Sequence, residues 1–430
     1  MKAEILFCLT RTVMGDCTRL LFGLADRLLA SGRRVEVASW GSRPDWYSLQ
    51  APFVQSDDLP GLIQARQPEV VVVSNAHLVP SVGRFSPKLI FFCQGYESFY
   101  YGQTLEELRR PCPVFGAIEA LPLNLVAVSR SVQGLLGQPS HYVPVGIEKL
   151  AYRSRPTGPL RILMSGAPLA PYKGMSDGFA ALDELARRFD FELVLLSPET
   201  SPRDHLEGHQ FGWQVLYKPD PDQLEEAFAS CHAYLCSSWY EGHDLATLQA
   251  MASGLPVVST RNLGVDDYGR AGQNMLLVEA GDRAAMARAL EQVLTEEGLG
   301  ERLSRQARRD LEGRFEWPAT LRAFEQVLAD ARPWQPDQAE LERLAKELVE
   351  QGVFTPIETY RVCEQAREVI AQCRSGGVLG QPERRQLEDV RHRLAALLEC
   401  PTAEFYGAAR ASFDLAGVLL TWSQEPSLWN

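Results

Sequence analysis

The sequence predicts an α/β protein of two doubly wound domains followed by an all-helical extension. Three observations carry that expectation. Over residues 1–150, short continuous apolar runs alternate with stretches of helical apolar spacing. The alternation restarts near Leu160 and continues to about Ala331. After a Pro-rich break, "RPWQPDQ", the apolar runs of strand type stop. Strands that are apolar at every position belong to parallel sheets covered on both faces. Their alternation with helices is the doubly wound arrangement.

Each element has its own signal. "EILFCL" reads as the first strand. "CTRLLFGLADRLLASG" follows with helical spacing and stops at Gly32, a residue suited to a helix C-terminus. "RVEVAS" is a strand, "LPGLIQARQP" a short helix, and "EVVVVSN", "KLIFFCQ" and "NLVAVS" are β-branched or apolar strands. The join falls in "GIEKLAYRSRPTGP", residues 146–159, so the domains are expected at 1–150 and 151–331. In the second domain "LRILMSG" and "FELVLLS" are strands around the helix "MSDGFAALDELARRF". "DPDQLEEAFASC" is a helix opened by Asp and Pro. "HAYLCSS", "LATLQAMASG", "LPVVST" and "NMLLVE" continue the alternation. Helices then run to Ala331, ending with "WPATLRAFEQVLADA". Residues 335–430 read as four helices that pack on the second domain, or that mediate a homodimer or a partner-enzyme contact.

Composition bounds the function. At 430 residues the chain exceeds a single core. Its net charge of −12 excludes a nucleic-acid binder that works through a general basic surface. The nine Cys are odd in number and lack CxxC spacing, which suits buried reduced thiols. The seven His do not cluster with Cys at zinc-ligand spacing. The first residues, "MKAEILFCLT", make a strand rather than a signal peptide, and no run is long enough to span a bilayer. A cytoplasmic protein, peripheral at most to the inner membrane, is expected.

Two strand-to-helix turns carry candidate chemistry. In "MSGAPLAPYKG", Gly166 lets backbone approach a ligand, and Lys173 at a helix start is placed for a phosphate. In "YEGHDLATLQAM", Glu241 sits at a strand tip, where a carboxylate accepts from sugar or ribose hydroxyls. The helix begins near Leu245, and its free N–H groups form an anion site. There is no Walker loop, no GxSxG elbow and no GxGxxG.

Residues 240–282, "YEGHDLATLQAMASGLPVVST" and then "NLGVDDYGRAGQNMLLVEAGD", resemble the donor-site signature of retaining nucleotide-sugar glycosyltransferases of GT-B fold, family four. That signature reads E-G-x-G/D-L-x-x-L-E-A-M-A-x-G-x-P-V-V, then N-G-x-L-V. "FEWPATLRAFEQVL" resembles the family's closing helix, near residues 317–331, which crosses back to the first domain. "VAVSRSVQ" and "HYVPVGIE" are similar to its I-A-x-S and I-x-N-G-I-D segments, and "IFFCQGYESFYYG" to a segment of a rhamnosyltransferase-like branch.

The resemblance implies roles. Lys173 contacts the donor diphosphate, and Glu241 holds donor-sugar hydroxyls. The N–H groups of His243, Asp244 and Leu245 meet phosphate or sugar. Gly15 leaves room for donor or acceptor, and Gln94 stands where many members carry a sugar-contacting His. The substrate is a nucleoside-diphosphate sugar; the acceptor is a glycan, lipid-linked or other hydroxyl. No cofactor and no metal are implied. Three departures are visible. Gln249 replaces the acid that binds ribose, Gly166-Ala167-Pro168 replaces the usual Gly-Arg, and Val145 replaces Asn. Gln offers one acceptor oxygen and no charge. The missing Arg leaves one diphosphate cation to be supplied by Arg261, Arg270 or another residue. Two other readings stay open: a sugar-nucleotide epimerase of the same architecture, and a non-catalytic binding subunit.

Overall fold

The computed structural model describes residues 3–350, apart from 101–103, 110–111, 149–155, 169 and 199–204. Its strands form two parallel sheets. The first contains β1 (Ile5–Leu9), β2 (Val35–Ser39), β3 (Phe53–Gln55), β4 (Val70–Val73), β5 (Leu89–Cys93), β6 (Asn124–Ala127) and β7 (His141–Tyr142), in the order β3-β2-β1-β4-β5-β6-β7. The second contains β8 (Arg161–Ser165), β9 (Glu192–Ser197), β10 (Gly212–Tyr217), β11 (Ala233–Cys236), β12 (Val257–Thr260) and β13 (Leu276–Val278), in the order β10-β9-β8-β11-β12-β13. Both orders reverse after their first strand, beside β4 in one sheet and β11 in the other. That reversal opens a crevice at the carboxyl ends, where such sheets bind ligands.

The runs of apolar residues explain the sheets. β1, β4 and β5 are buried at every position, as strands covered on both faces must be. The helix Asp16–Ala30 covers one face of the first sheet with Leu20, Leu21, Leu24 and Leu28. The expected elements are present, with ends shifted by a residue or two. Three strands that the pattern did not signal are β3, β7 and β10; all are partly exposed edge strands without a continuous apolar run.

The helix Trp317–Asp330 returns to the first sheet. Phe324 packs between Phe7 and Phe92, with ring centroids 6.3 and 5.8 Å away. Trp317 donates its indole N–H to Glu148 at 2.9 Å and lies under the Arg27 guanidinium. The first helix of the extension, Gln338–Glu350, buries Leu341, Leu344 and Leu348. It packs on the helices Val79–Gly83 and Pro113–Glu119 of the first sheet. The expectation that the extension packs on the second domain is therefore corrected for this helix. Trp334 anchors its approach by donating to the Gly83 carbonyl at 2.7 Å. The other three expected helices lie outside the described residues. Among the described residues no helix is long and apolar enough to cross a membrane.

Candidate functional site: a polar cleft between the two sheets

A cavity of about 400 Å³ lies between the carboxyl ends of the sheets. Residues from both sheets line it, and the sheets meet at its floor. Gly242 packs so tightly on the first sheet that a Cβ there would overlap the Gln94 carbonyl oxygen. The Tyr240 hydroxyl accepts from the Tyr96 amide, and Phe99 meets the Tyr240 ring edge-on at 5.0 Å.

Lys173 ends the short turn Pro171–Lys173. Gly174 follows at φ +54°, and a Cβ there would strike the Ser237 carbonyl. The turn is tied to the next one by Ser237 Oγ donating to the Lys173 carbonyl (3.1 Å) and Trp239 N donating to the Tyr172 carbonyl (2.7 Å). Glu241 is fixed by its own N–H, which donates to the Asn262 carbonyl at 2.8 Å. These frames bring Lys173 Nζ to 2.7 Å from Glu241 Oε1. Ser238 Oγ donates to the same oxygen at 2.6 Å, so Oε2 has no partner among the described residues. Burial pushes the Glu241 carboxyl above its ordinary range, with Lys173 opposing. Burial also disfavours the Lys173 ammonium, but Glu241, Tyr172 and Asp16 outweigh it and keep the lysine charged.

The other predicted positions divide into two groups. Gly15, Gln94, Gly166, His243 and Gln249 line the cavity with Lys173 and Glu241. A Cβ on Gly15 would enter open space, whereas one on Gly166 would overlap the Met175 sulfur. Gln94 donates through Nε2 to Ser74 Oγ (2.8 Å) and the Cys17 carbonyl (3.1 Å), which leaves its buried Oε1 unpaired. Both ring nitrogens of His243 are buried without a well-formed hydrogen bond, the Gln94 backbone being a weak partner, and burial lowers its pKa, so the ring is neutral. Gln249 is 8% exposed.

Asp244 and Leu245 stand behind the wall instead. Leu245 belongs to the core. Asp244 caps the helix Leu245–Ser253 from a left-handed conformation. Its Oδ1 accepts from Thr247 N at 3.1 Å, and its Oδ2 accepts from Thr247 Oγ1 at 2.5 Å and Asn262 Nδ2 at 3.2 Å. Asp244→Ala should cost about 2–4 kcal/mol in urea unfolding, because the cap and two buried donors lose their acceptor. Asp244→Asn should recover only the cap, because its NH2 group cannot accept from Asn262 Nδ2. Equal loss in both variants would show that the charge, not the cap geometry, is what the fold needs.

Cys236, Glu241 and Asp244 place candidate ligand atoms within 4.8 Å of one another. Asn262 Nδ2 donates to both Cys236 Sγ (3.4 Å) and Asp244 Oδ2 (3.2 Å), and Lys173 neutralises Glu241. The three are thus already partnered by donors.

Sequence reasoning missed part of the cavity. Neither Arg261 nor Arg270 lines it; they pair with Glu279 and Asp310. The cations that do line it beside Lys173 are Arg11 and Arg19, on the first-sheet side. Glu97 and Asn75 are there too. Glu97 falls in the segment "IFFCQGYESFYYG", but its place on this wall, and those of Arg11, Arg19 and Asn75, come from the fold, which gathers them from separate segments.

Residues 159–296 match the family model described as "Glycosyl transferases group 1". The lipopolysaccharide core biosynthesis glycosyltransferase LpsE of Rhizobium meliloti is 35% identical over 118 residues, which is 27% of this chain and 33% of LpsE. The chain thus spans about a third of that relative. Two solved structures share the fold over 76% of this chain. Sucrose-phosphate synthase from Thermosynechococcus elongatus has TM-score 0.63 at 16% identity, with 98% of its chain covered. Anabaena HepE, solved with UDP and glucose, has TM-score 0.62 at 15% identity, with 100% covered. The chain therefore has the GT-B fold, and its residues 159–296 match the group 1 glycosyl transferase model.

Proposed function

We propose that the protein is a retaining glycosyltransferase that moves a sugar from a nucleoside-diphosphate sugar to a hydroxyl acceptor, in surface-glycan or glycoconjugate synthesis. The observation that carries the reading is the buried Lys173–Glu241 pair, 2.7 Å long, on the wall of a cavity between two sheet ends. In the bound state the diphosphate competes for the Lys173 ammonium, and Glu241 Oε2 accepts from donor-sugar hydroxyls. The unpaired Gln94 Oε1 and the neutral His243 ring supply further sugar contacts. Gln249, open to the cavity, bonds the ribose through its amide.

The acceptor hydroxyl attacks C1 from the face of the leaving group. The C1–O bond to the diphosphate breaks and its electron pair stays with the phosphate. The new C1–O bond forms, and the acceptor proton passes to the departing phosphate oxygen. Catalysis is then positioning and charge stabilisation by Lys173 and backbone amides, with no metal or cofactor. The crystal complexes of HepE make uridine diphosphate sugars the first donors to try. No disulfide joins the six described cysteines, in keeping with a reducing, cytoplasmic setting.

The test is a panel of UDP-, GDP-, ADP- and dTDP-sugars, followed by proton NMR with EDTA present. Release of nucleoside diphosphate from one donor, with a sugar product that keeps the donor's anomeric configuration, is the expected result. An inverted product or EDTA-sensitive turnover would refute the mechanism. Absence of turnover and of nucleotide binding would favour the binding-subunit reading.

A further inference from the structure

The first-sheet wall of the cavity carries a carboxyl that the donor chemistry does not use. Glu97 opens the short turn Glu97–Tyr100 and lines the cavity opposite Lys173. Its Oε1 accepts from the Ala76 amide at 3.1 Å, and Ala76 starts the turn Ala76–Leu78. The two turns follow the paired strands β5 and β4, so the sheet itself holds the carboxyl in place. No ion pair neutralises it among the described residues. Burial pushes its pKa up to about 7, opposed by the Ala76 bond and by Arg11 at longer range. Glu97 is thus a half-buried carboxyl on the cavity wall with one amide partner and acceptor capacity to spare.

The surroundings say what would satisfy it. On the same wall the Thr10 hydroxyl is 3.4 Å from Asn75 Oδ1, to which it donates, and the buried Gln94 Oε1 lacks a donor. Glu97 and Gln94 therefore both present acceptor oxygens that call for hydroxyl groups. A phosphate or carboxylate brought directly against Glu97 would meet like charge and offer no proton, although Arg11 and Arg19 line the same side of the cavity. A sugar face with neighbouring hydroxyls supplies what is missing.

We infer that Glu97 is the residue that recognises the acceptor, and that this acceptor is an uncharged polyhydroxyl sugar which donates a hydroxyl to the Glu97 carboxylate. The hydroxyl held by Glu97 is a neighbour of the attacking one, whose proton goes to the phosphate. The inference rests on the reading of the opposite wall as the donor site.

Saturation-transfer NMR on the full chain tests it. The protein is loaded with whichever of UDP, GDP, ADP or dTDP it binds most tightly. Methyl α-D-glucopyranoside, methyl α-L-rhamnopyranoside and glucose 6-phosphate are the probes. At least one methyl glycoside should bind, and glucose 6-phosphate should bind less well. Glu97→Gln, which keeps the size and the oxygen facing Ala76, should weaken glycoside binding at least about tenfold while nucleotide affinity stays unchanged. Glycoside binding that survives Glu97→Gln, preference for the phosphate, or no glycoside bound by the loaded wild type would each overturn the inference. A wild type that binds none of the nucleotides would overturn the donor-site reading as well.

Discussion

Replacing Lys173 by Ala should lower sugar transfer by about 10²–10³-fold, the scale seen when one preorganised donor to a developing anion is removed. The loss should fall on kcat, because the charge on the departing diphosphate peaks in the transition state. The fold should survive. Lys173 is the only partner of Glu241 that carries a charge within ion-pair distance among the described residues. Yet the Glu241 carboxyl, already raised by burial, can take up a proton when the lysine is gone. That relieves the uncompensated charge that makes the breaking of a buried pair so damaging. The variant should therefore keep a cooperative thermal transition while losing turnover. Glu241→Gln should lower transfer through weaker sugar contacts, and the double variant should lose less than the sum, since the two side chains share one hydrogen bond. Wild-type turnover by folded Lys173→Ala would remove the donor-site assignment.

Gly242→Ala should be nearly as damaging, for a different reason. The glycine has no need for unusual dihedrals; it is not among the residues with positive φ. What it needs is room, because a Cβ would overlap the Gln94 carbonyl across the junction of the two sheets. Neither backbone can retreat cheaply. Glu241 beside Gly242 is bonded to Asn262, and Gln94 is held by Ser74 and Cys17. The junction must open, which separates Lys173 and Glu241 from the Gln94 and Glu97 wall. Displacements on the order of 1 Å cost about 10²-fold in rate. Each wall keeps its own contacts, so nucleotide affinity should change less than transfer. Crystal structures or small-angle scattering of the variant should show a wider cleft. An unchanged rate would mean that the junction already opens and closes freely in turnover.

Much of this organisation is legible in the sequence, and the reasons are physical. β1, β4 and β5 announce themselves because strands buried on both faces tolerate little but apolar residues. β10, "GWQVLY", does not, because an edge strand with alternating exposure loses that continuous run. Residues Glu241 to Pro256 are readable as a site because strand tip, cap and helix are contiguous in the chain. Asp244 shows the limit of such reading. The expected contact there is through the N–H group, and the structure adds that the side chain caps the helix. Arg11 follows β1, Arg19 lies in the helix Asp16–Ala30, and Asn75 and Glu97 follow β4 and β5, so only the parallel sheet brings them to one wall. No periodicity or spacing encodes that meeting. Gln249 keeps the place of the missing acid, open to the cavity, and its departure from the motif is one of chemistry and not of position.

The central claim is that the cleft around Lys173 and Glu241 is a nucleotide-sugar donor site. Isothermal titration calorimetry of UDP, GDP, ADP and dTDP into wild type and Lys173→Ala tests it most directly. One diphosphate should bind the wild type, and the variant should bind it about 10–100-fold more weakly, as the loss of one charge-assisted phosphate contact requires. Equal affinity for wild type and variant, or no diphosphate binding at all, would contradict it.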